Sequence, residues 1–279
     1  MFLIFDTETT GLPRDFMAPL TDSDNWPRMV QIAWQLHGET GVLLDHACYI
    51  IKPEGFNIPY AAEKIHGIST EMALQEGLSL EWVLQEFAKA VKQSKYLVGH
   101  NVEFDKCIIG AEFVRKNINN NFLELPVIDT KEESTDFCGL AGGKNGKFKW
   151  PNLSELYLKL FGDSFSEAHT ASADVLATAR CFLELLRLEV IDVSKYGLPA
   201  DFSENFRRVN TTTVLPAELR IKCPPTEIPD FTAKTRMEMA AAEQLPTELI
   251  PFTHLHVHTQ FSILDGAADI PGLIEKAKI

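Results

Sequence analysis

Apolar and polar positions alternate along this chain in two rhythms. MFLIFD (residues 1–6) is a short apolar, β-prone run and reads as a buried strand. MVQIAWQL (29–36) and GVLLDHACYIIK (41–52) read as two more strands, joined by the turn-like stretch from Gly38 to Gly41. Three strands in succession predict an antiparallel meander. The period then lengthens. SLEWVLQEFAKAVKQS (79–94) places Trp82, Leu84, Phe87, Ala88 and Val91 at helical spacing, with Ser79 as its cap. KYLVGHN (95–101) is strand-like, VEFDKCIIGAEFVRKN (102–117) helical, and LPVIDT (125–130) a further short strand. NLSELYLKLFG (152–162) predicts a capped helix ending at Gly162, and TASADVLATARCFLELLRLEVI (170–191) a long amphipathic one. The order β-β-β-α-β-α-β-α-α describes an α/β domain, assigned to residues 1–194.

The texture changes near Lys195. Seven of the fifteen prolines (Pro199, Pro216, Pro224, Pro225, Pro229, Pro246 and Pro251) fall in 196–251, so 195–251 reads as a Pro-rich linker. Within it, TAKTRMEMAAAEQ (232–244) is rich in helix formers and predicts a short helix. After Pro251 a new pattern begins, FTHLHVHTQFSILDG, and residues 252–279 read as the truncated start of a second domain.

Composition narrows the class. Apolar residues make up 45% of the 279, enough for a normal core, and no run reaches the ~18 uncharged apolar residues of a spanning helix. The expectation is a soluble, cytoplasmic protein with no membrane partner. Cys48, Cys107, Cys138, Cys181 and Cys223 are dispersed without a C-x-x-C pair, which reads as reduced thiols rather than a zinc site. The net charge is −13, of which −10 lies in 1–195 (28 acidic, 18 basic residues). That does not favour tight, nonspecific duplex binding and suits a protein held at its substrate by a metal site or by a partner.

The acids are placed where chemistry can use them. Asp6 and Glu8, at i and i+2 on a strand, share one face, where two nearby carboxylates repel unless a cation lies between them. Thr9-Thr10-Gly11 supplies backbone N–H groups and a tight turn beside them. The bland alternative is a solvated strand end. Asp105 follows the strand ending at Gly99 and projects toward the strand ends, or serves simply as an acid near a helix N-terminus. His169 precedes the last long helix and Asp174 lies on its second turn; a loop histidine there titrates near neutrality, or is an ordinary loop residue.

Taken together, D-x-E-T-T-G from Asp6, H-N-x-x-F-D from His100 and H-x-A-x-x-D from His169 resemble the DEDD exonuclease superfamily, in its histidine-bearing, DnaQ-like subgroup, over residues 1 to about 190. The resemblance implies an RNase H-like mixed β-sheet flanked by helices, and two Mg²⁺ or Mn²⁺ ions. Asp6, Glu8 and Asp174 would hold the first ion; Asp6 would bridge to the second, supported by Asp105; His169 would be the general base. Thr7, Thr9, Thr10, Gly11, His66, His100, Asn101 and Phe104 would face the substrate, the 3′ end of single-stranded DNA, and the products would be nucleoside 5′-monophosphates. Ile65-His66-Gly67-Ile68 resembles a segment near the active site of these enzymes, with a structural histidine as the other reading. GLAGGKNGKFKWP (139–151) mixes Lys144, Lys147 and Lys149 with Phe148 and Trp150. It reads as a single-strand contact, or as a solvated loop anchored in the core by Trp150.

His254, His256 and His258 alternate in the last segment and on a strand would face one side. The segment resembles the start of the PHP domain of DNA polymerase III α subunits, which implies His256, His258 and Asp265 as part of a second metal site. It also implies a proofreading exonuclease joined to that polymerase polypeptide, with replisome subunits as further partners. An RNA-processing or repair exonuclease, or a non-catalytic module bracing the polymerase, are the alternatives; the second sits badly with intact catalytic motifs.

Overall fold

Strand β1 (Phe2–Thr9) runs through the middle of a mixed five-stranded sheet, flanked by β2 (Met29–His37) on one side and by β4 (Tyr96–Gly99) on the other. The computed structural model describes residues 1–165 and 170–214 of the chain, which fall within one unit, Met1–Pro224. His169, the 232–244 segment, and the 252–279 segment with His256, His258 and Asp265 lie outside the described residues.

The sheet order is β3-β2-β1-β4-β5, with β3 spanning Leu43–Ile50 and β5 Val127–Asp129. β1, β2 and β3 pair antiparallel, as the meander reading requires, and β1, β4 and β5 pair parallel. The helices are α1 (Tyr60–His66), α2 (Thr70–Glu76), α3 (Leu80–Gln93), α4 (Val102–Arg115), α5 (Thr130–Glu133), α6 (Thr135–Cys138), α7 (Leu153–Phe161), α8 (Ala171–Arg187) and α9 (Phe202–Val209).

Side chains alternate across the sheet, so the near-continuous apolar run of β1 feeds two cores. Phe2 and Ile4 pack with Val175, Phe182, Leu183 and Leu186 of α8. Leu3 and Phe5 pack with Leu84 and Phe87 of α3 and Ile108 and Phe113 of α4. Covering both faces is what lets the parallel half of the sheet be apolar throughout. α7 opens on a capping box, in which the Asn152 side chain accepts from Glu155 N–H and Glu155 accepts from Asn152 N–H. Ser79 precedes α3 without a side-chain cap bond.

Three differences from the sequence reading have local causes. α1 and α2 are seven residues each, too short for a 3.6-residue rhythm to show against Pro59, Gly67 and Gly77. α5 and α6 are single turns. The third is a correction to the domain boundary at 194: α9 lies inside the segment read as linker, and its Phe202 and Phe206 are buried, Phe202 packing edge-on to Phe2. Two aromatics at i, i+4 supply a helix with enough buried area to dock, although prolines surround it in sequence. Among the described residues no helix is long and apolar enough to cross a membrane.

Candidate active site

Asp6 and Glu8 stand near the C-terminal end of β1, opposite Ala33 and Gln31 of β2, on the face that α8 covers. Directly after Glu8 the pairing shifts register, so Thr9 lies opposite Met29. Such a bulge bends the strand and ends the ladder beside the acids. Gln31 is buried, and its Oε1 accepts the N–H of Ala171 at 3.1 Å. That bond joins the first residue of α8 to the strand position opposite Glu8. Thr170 caps the helix by accepting from Ala173 N–H at 3.3 Å. Asp174, on the first turn, thereby reaches the pair: carboxylate oxygens of Asp6, Glu8 and Asp174 all lie within 4.8 Å of one another, each residue partly buried.

Asp105 approaches from the other face. Thr7, which alternation turns toward α4, donates both its N–H (3.0 Å) and its hydroxyl (2.6 Å) to Asp105 Oδ1. Asp105 is buried and stands beside the three-acid cluster rather than within it. Its charge still reaches Asp6. Burial pushes the Asp6 carboxyl well above the usual range, and the charges of Asp105, Asp174 and Glu8 add to the shift. Burial, then Asp174 and Asp105, pushes Glu8 up to about 8. Burial raises Asp105 to about 7, against the opposing pull of the two Thr7 hydrogen bonds.

A cluster of acids that cannot all ionise together is poorly stable by itself. Its donors are carboxylate oxygens only, the set a hard divalent cation takes, and such a cation reverses the sign of every repulsion just described. The residues therefore fit a bound divalent cation.

Several residues read as substrate contacts also make hydrogen bonds within the protein. Thr7 is buried against Asp105. The Thr9 hydroxyl donates to Gly11 O at 2.7 Å, and Thr10 Oγ1 accepts from Arg28 N–H at 2.9 Å, so both shape the turn after β1. His66 is buried at the end of α1, its Nδ1 accepting from Ile68 N–H at 3.1 Å across the left-handed Gly67. Burial lowers its basicity, opposed by the Thr9 backbone beside it. Both ring nitrogens of His100 are bonded, Nδ1 to Thr130 Oγ1 (3.0 Å) and Nε2 to Pro151 O (3.1 Å). Thr7, Thr9 and His66 are buried, whereas Thr10 and His100 are partly exposed. Gly11 and Asn101 are exposed, and Phe104 is partly buried with its ring near that of Phe16.

Two residues that the sequence reading passed over position the site. Gln31 tethers α8, and its signal was a polar residue inside an apolar strand. Asp129 accepts from the N–H groups of Asn101 (2.9 Å), Val102 (3.1 Å) and Lys131 (2.9 Å), fixing the starts of α4 and α5 together. A third, Glu112, is completely buried; its Oε1 accepts from Arg28 Nε (2.9 Å) and Met29 N–H (3.0 Å) and pairs with Arg115 (3.2 Å). It locks α4 to the start of β2.

Comparison with known proteins agrees with this geometry. A curated relative, the DNA polymerase III subunit epsilon-like protein of Rhodobacter capsulatus, is 35% identical over 193 residues, 66% of this chain. The chain spans only 23% of the length of that relative. Among solved structures, the zinc-bound E. coli exonuclease I complex with single-stranded DNA matches with a TM-score of 0.54 and 21% identity, over 70% of this chain and 42% of that one. Exonuclease I of Methylocaldum szegediense matches with a TM-score of 0.51 and 21% identity, over 67% of this chain and 40% of that one. At such identity the two structures show a shared fold. The family described as Exonuclease (RNase_T) matches residues 3–182, the stretch that builds the sheet and carries all four acids. On that match, which takes in more than half of its length, the chain belongs to the RNase_T exonuclease family.

Proposed function

We propose that this protein is a divalent-metal-dependent 3′→5′ exonuclease that releases nucleoside 5′-monophosphates from single-stranded DNA 3′ ends and proofreads replication. The observation that carries the reading is the convergence of Asp6, Glu8 and Asp174 within 4.8 Å, with Asp105 held beside them by Thr7.

Asp6, Glu8 and Asp174 would hold one Mg²⁺ or Mn²⁺ ion, and Asp6 with Asp105 a second. When bound, such a pair makes water a better nucleophile near neutral pH and offsets charge on the departing oxygen. The chain supplies the rest. Thr7 keeps one Asp105 oxygen occupied, so the carboxylate presents its other oxygen in a fixed direction. Gln31 and Thr170 set the start of α8, and with it the height of Asp174 over β1. His169, on the segment just before α8, takes the proton of the attacking water. The water oxygen bonds to the terminal phosphorus as the bond from phosphorus to the 3′-oxygen breaks, and that oxygen leaves as a hydroxyl once protonated.

Proofreading rests on two supports: the epsilon-like relative, and the resemblance of residues 252–279 to the start of a polymerase III α PHP domain. In this reading the exonuclease works beside that polymerase polypeptide in the cytoplasm, and His256, His258 and Asp265 contribute to a second metal site.

The test compares matched and 3′-mismatched primer–template DNA and a single-stranded RNA of the same sequence, all in Mg²⁺. A terminal base must unpair to reach the acids, so the mismatched end is removed faster. Equal rates on matched and mismatched ends would contradict proofreading, and RNA degraded faster than single-stranded DNA would move the substrate to RNA.

A further inference from the structure

We propose that the loop 139–151 is a binding surface for the single nucleic-acid strand behind the reacting 3′ end, an assignment that rests on the function proposed above. β1, β4 and β5 are parallel neighbours, so their C-terminal ends open along one edge of the sheet. Asp6 and Glu8 stand at the first end, His100 and Asn101 follow the second, and Asp129 to Lys131 follow the third. The loop is fastened to the second and third. Pro151 O bonds His100 Nε2 at 3.1 Å, and Lys131 Nζ lies 4.5 Å from the centre of the Trp150 ring while bonding Asn101 Oδ1 at 2.5 Å. Lys149 N–H closes the loop on Leu140 O at 2.8 Å.

The loop is fastened beside the ends of β4 and β5, one and two strand spacings, about 5 and 10 Å, from the strand that carries Asp6 and Glu8. A strand carries a phosphate about every 3.4 Å in stacked form, so the loop meets it within roughly three nucleotides of its end. What it offers there suits a polyanion with flat bases. Segment 139–151 has three lysines and no acid, in a chain of net charge −13. Lys149 pairs with Glu155, whereas Lys144 and Lys147 are exposed and enter no ion pair among the described residues. Phe148 and Trp150 are 48% and 59% exposed, far more than a core anchor for the loop would be. The groove beside Trp150 holds Glu132 and Asp136 together with the paired Glu133 and Lys195, a net-acidic surround that disfavours phosphate there and leaves Trp150 as a base contact. Phosphate cations alternating with aromatic faces are the elements of sequence-tolerant strand binding.

The experiment compares the wild type with K144A/K147A/F148A, three exposed substitutions, on two probes. Fluorescein-labelled dT16 and rU16 report strand binding by anisotropy, in Ca²⁺ and in EDTA, at several salt concentrations. The p-nitrophenyl ester of thymidine 5′-monophosphate, too short to reach the loop, reports the acidic cluster alone. The expected result is a loss of about tenfold or more in dT16 affinity. The salt dependence should flatten by about 1.4 in slope for two lost phosphate contacts. Ester hydrolysis stays within twofold. Equal losses on dT16 and rU16 identify contacts to phosphate and to the base face they share; a loss confined to one identifies a further contact to the 2′ position or the thymine methyl beside the loop. Trp150→Phe should retain binding that Trp150→Ala loses. Unchanged strand affinity in the triple variant, or an equal fall in ester turnover, would overturn the assignment. A wild type inert toward both ester and DNA would reject the proposed function, while the binding measurement would still decide the loop.

Discussion

Thr7 and Asp105 show how much of the site depends on hydrogen bonds that hold its acids in place. One threonine, through its N–H and hydroxyl, holds an acid that burial and its neighbours push toward neutrality. Asp6→Asn should therefore cost activity and not fold: a loss of at least about 10²–10³ in rate, as for removal of one preorganised electrostatic group. Its melting temperature without metal should be at or above that of the wild type, because the substitution relieves repulsion; a large fall would make Asp6 structural. The pH dependence carries the same signature. Glu8 and Asp105 titrate in the fold at about 8 and about 7, above the ~4 of exposed carboxylates. At these groups the folded state then binds more protons than the unfolded state, so their contribution to metal-free stability is fully present at low pH and is lost as pH rises through about 8. Melting scans in EDTA from pH 5 to 8.5 should slope downward, and saturating Mg²⁺ should flatten them; a level profile in EDTA would contradict the repulsion. For His169→Ala the expectation is a loss of about 10²–10⁴ in single-turnover rate, with the rise near the ordinary histidine value of about 6.5 missing from its pH profile. A variant that keeps that rise removes His169 from the role of base.

At the scale of elements, the strands and long helices were legible because burial on two faces leaves long apolar runs, and because α3, α7 and α8 keep a clear helical period. α1, α2 and α9 were not. Each is too short for periodicity, and tertiary contacts hold them: α1 ends at the buried His66, which meets the Thr9 backbone, and α9 places Phe202 and Phe206 in the α8 core. Phe206→Ala should cost about 3–5 kcal/mol of unfolding free energy in a chain otherwise active, measured by urea denaturation. An unchanged midpoint would return this segment to the linker. Glu112 makes a parallel case. Removing the acid leaves Arg28 and Arg115 partly buried without their partner, so Glu112→Ala should cost about 3–5 kcal/mol. Its α4 should then hold Asp105 less firmly, weakening Mn²⁺ binding as well; normal metal affinity in a destabilised Glu112→Ala would confine the residue to folding.

Across the whole molecule, the candidate site was legible as three short motifs whose order along the chain matches their meeting in space. The division of labour within them was not. Sequence named Thr7, His66 and His100 by their motifs, but not the bonds they make within the fold to Asp105, Ile68, Thr130 and Pro151, because those depend on neighbours brought together by folding. The roles of Gln31 and Asp129 come from contacts 140 and 28 residues away in the chain. The charge of −13 now has a local reading too: acids crowd where cations would bind, and segment 139–151 carries three lysines and no acid. The central claim is that this acid cluster works through divalent cations at a 3′ end. Single-stranded DNA labelled at its 5′ end, incubated in Mg²⁺ or Mn²⁺, should give a ladder of products shortened one nucleotide at a time, and nothing in excess EDTA. Equal degradation in EDTA, or loss of the 5′ label as a mononucleotide at the outset, would contradict it.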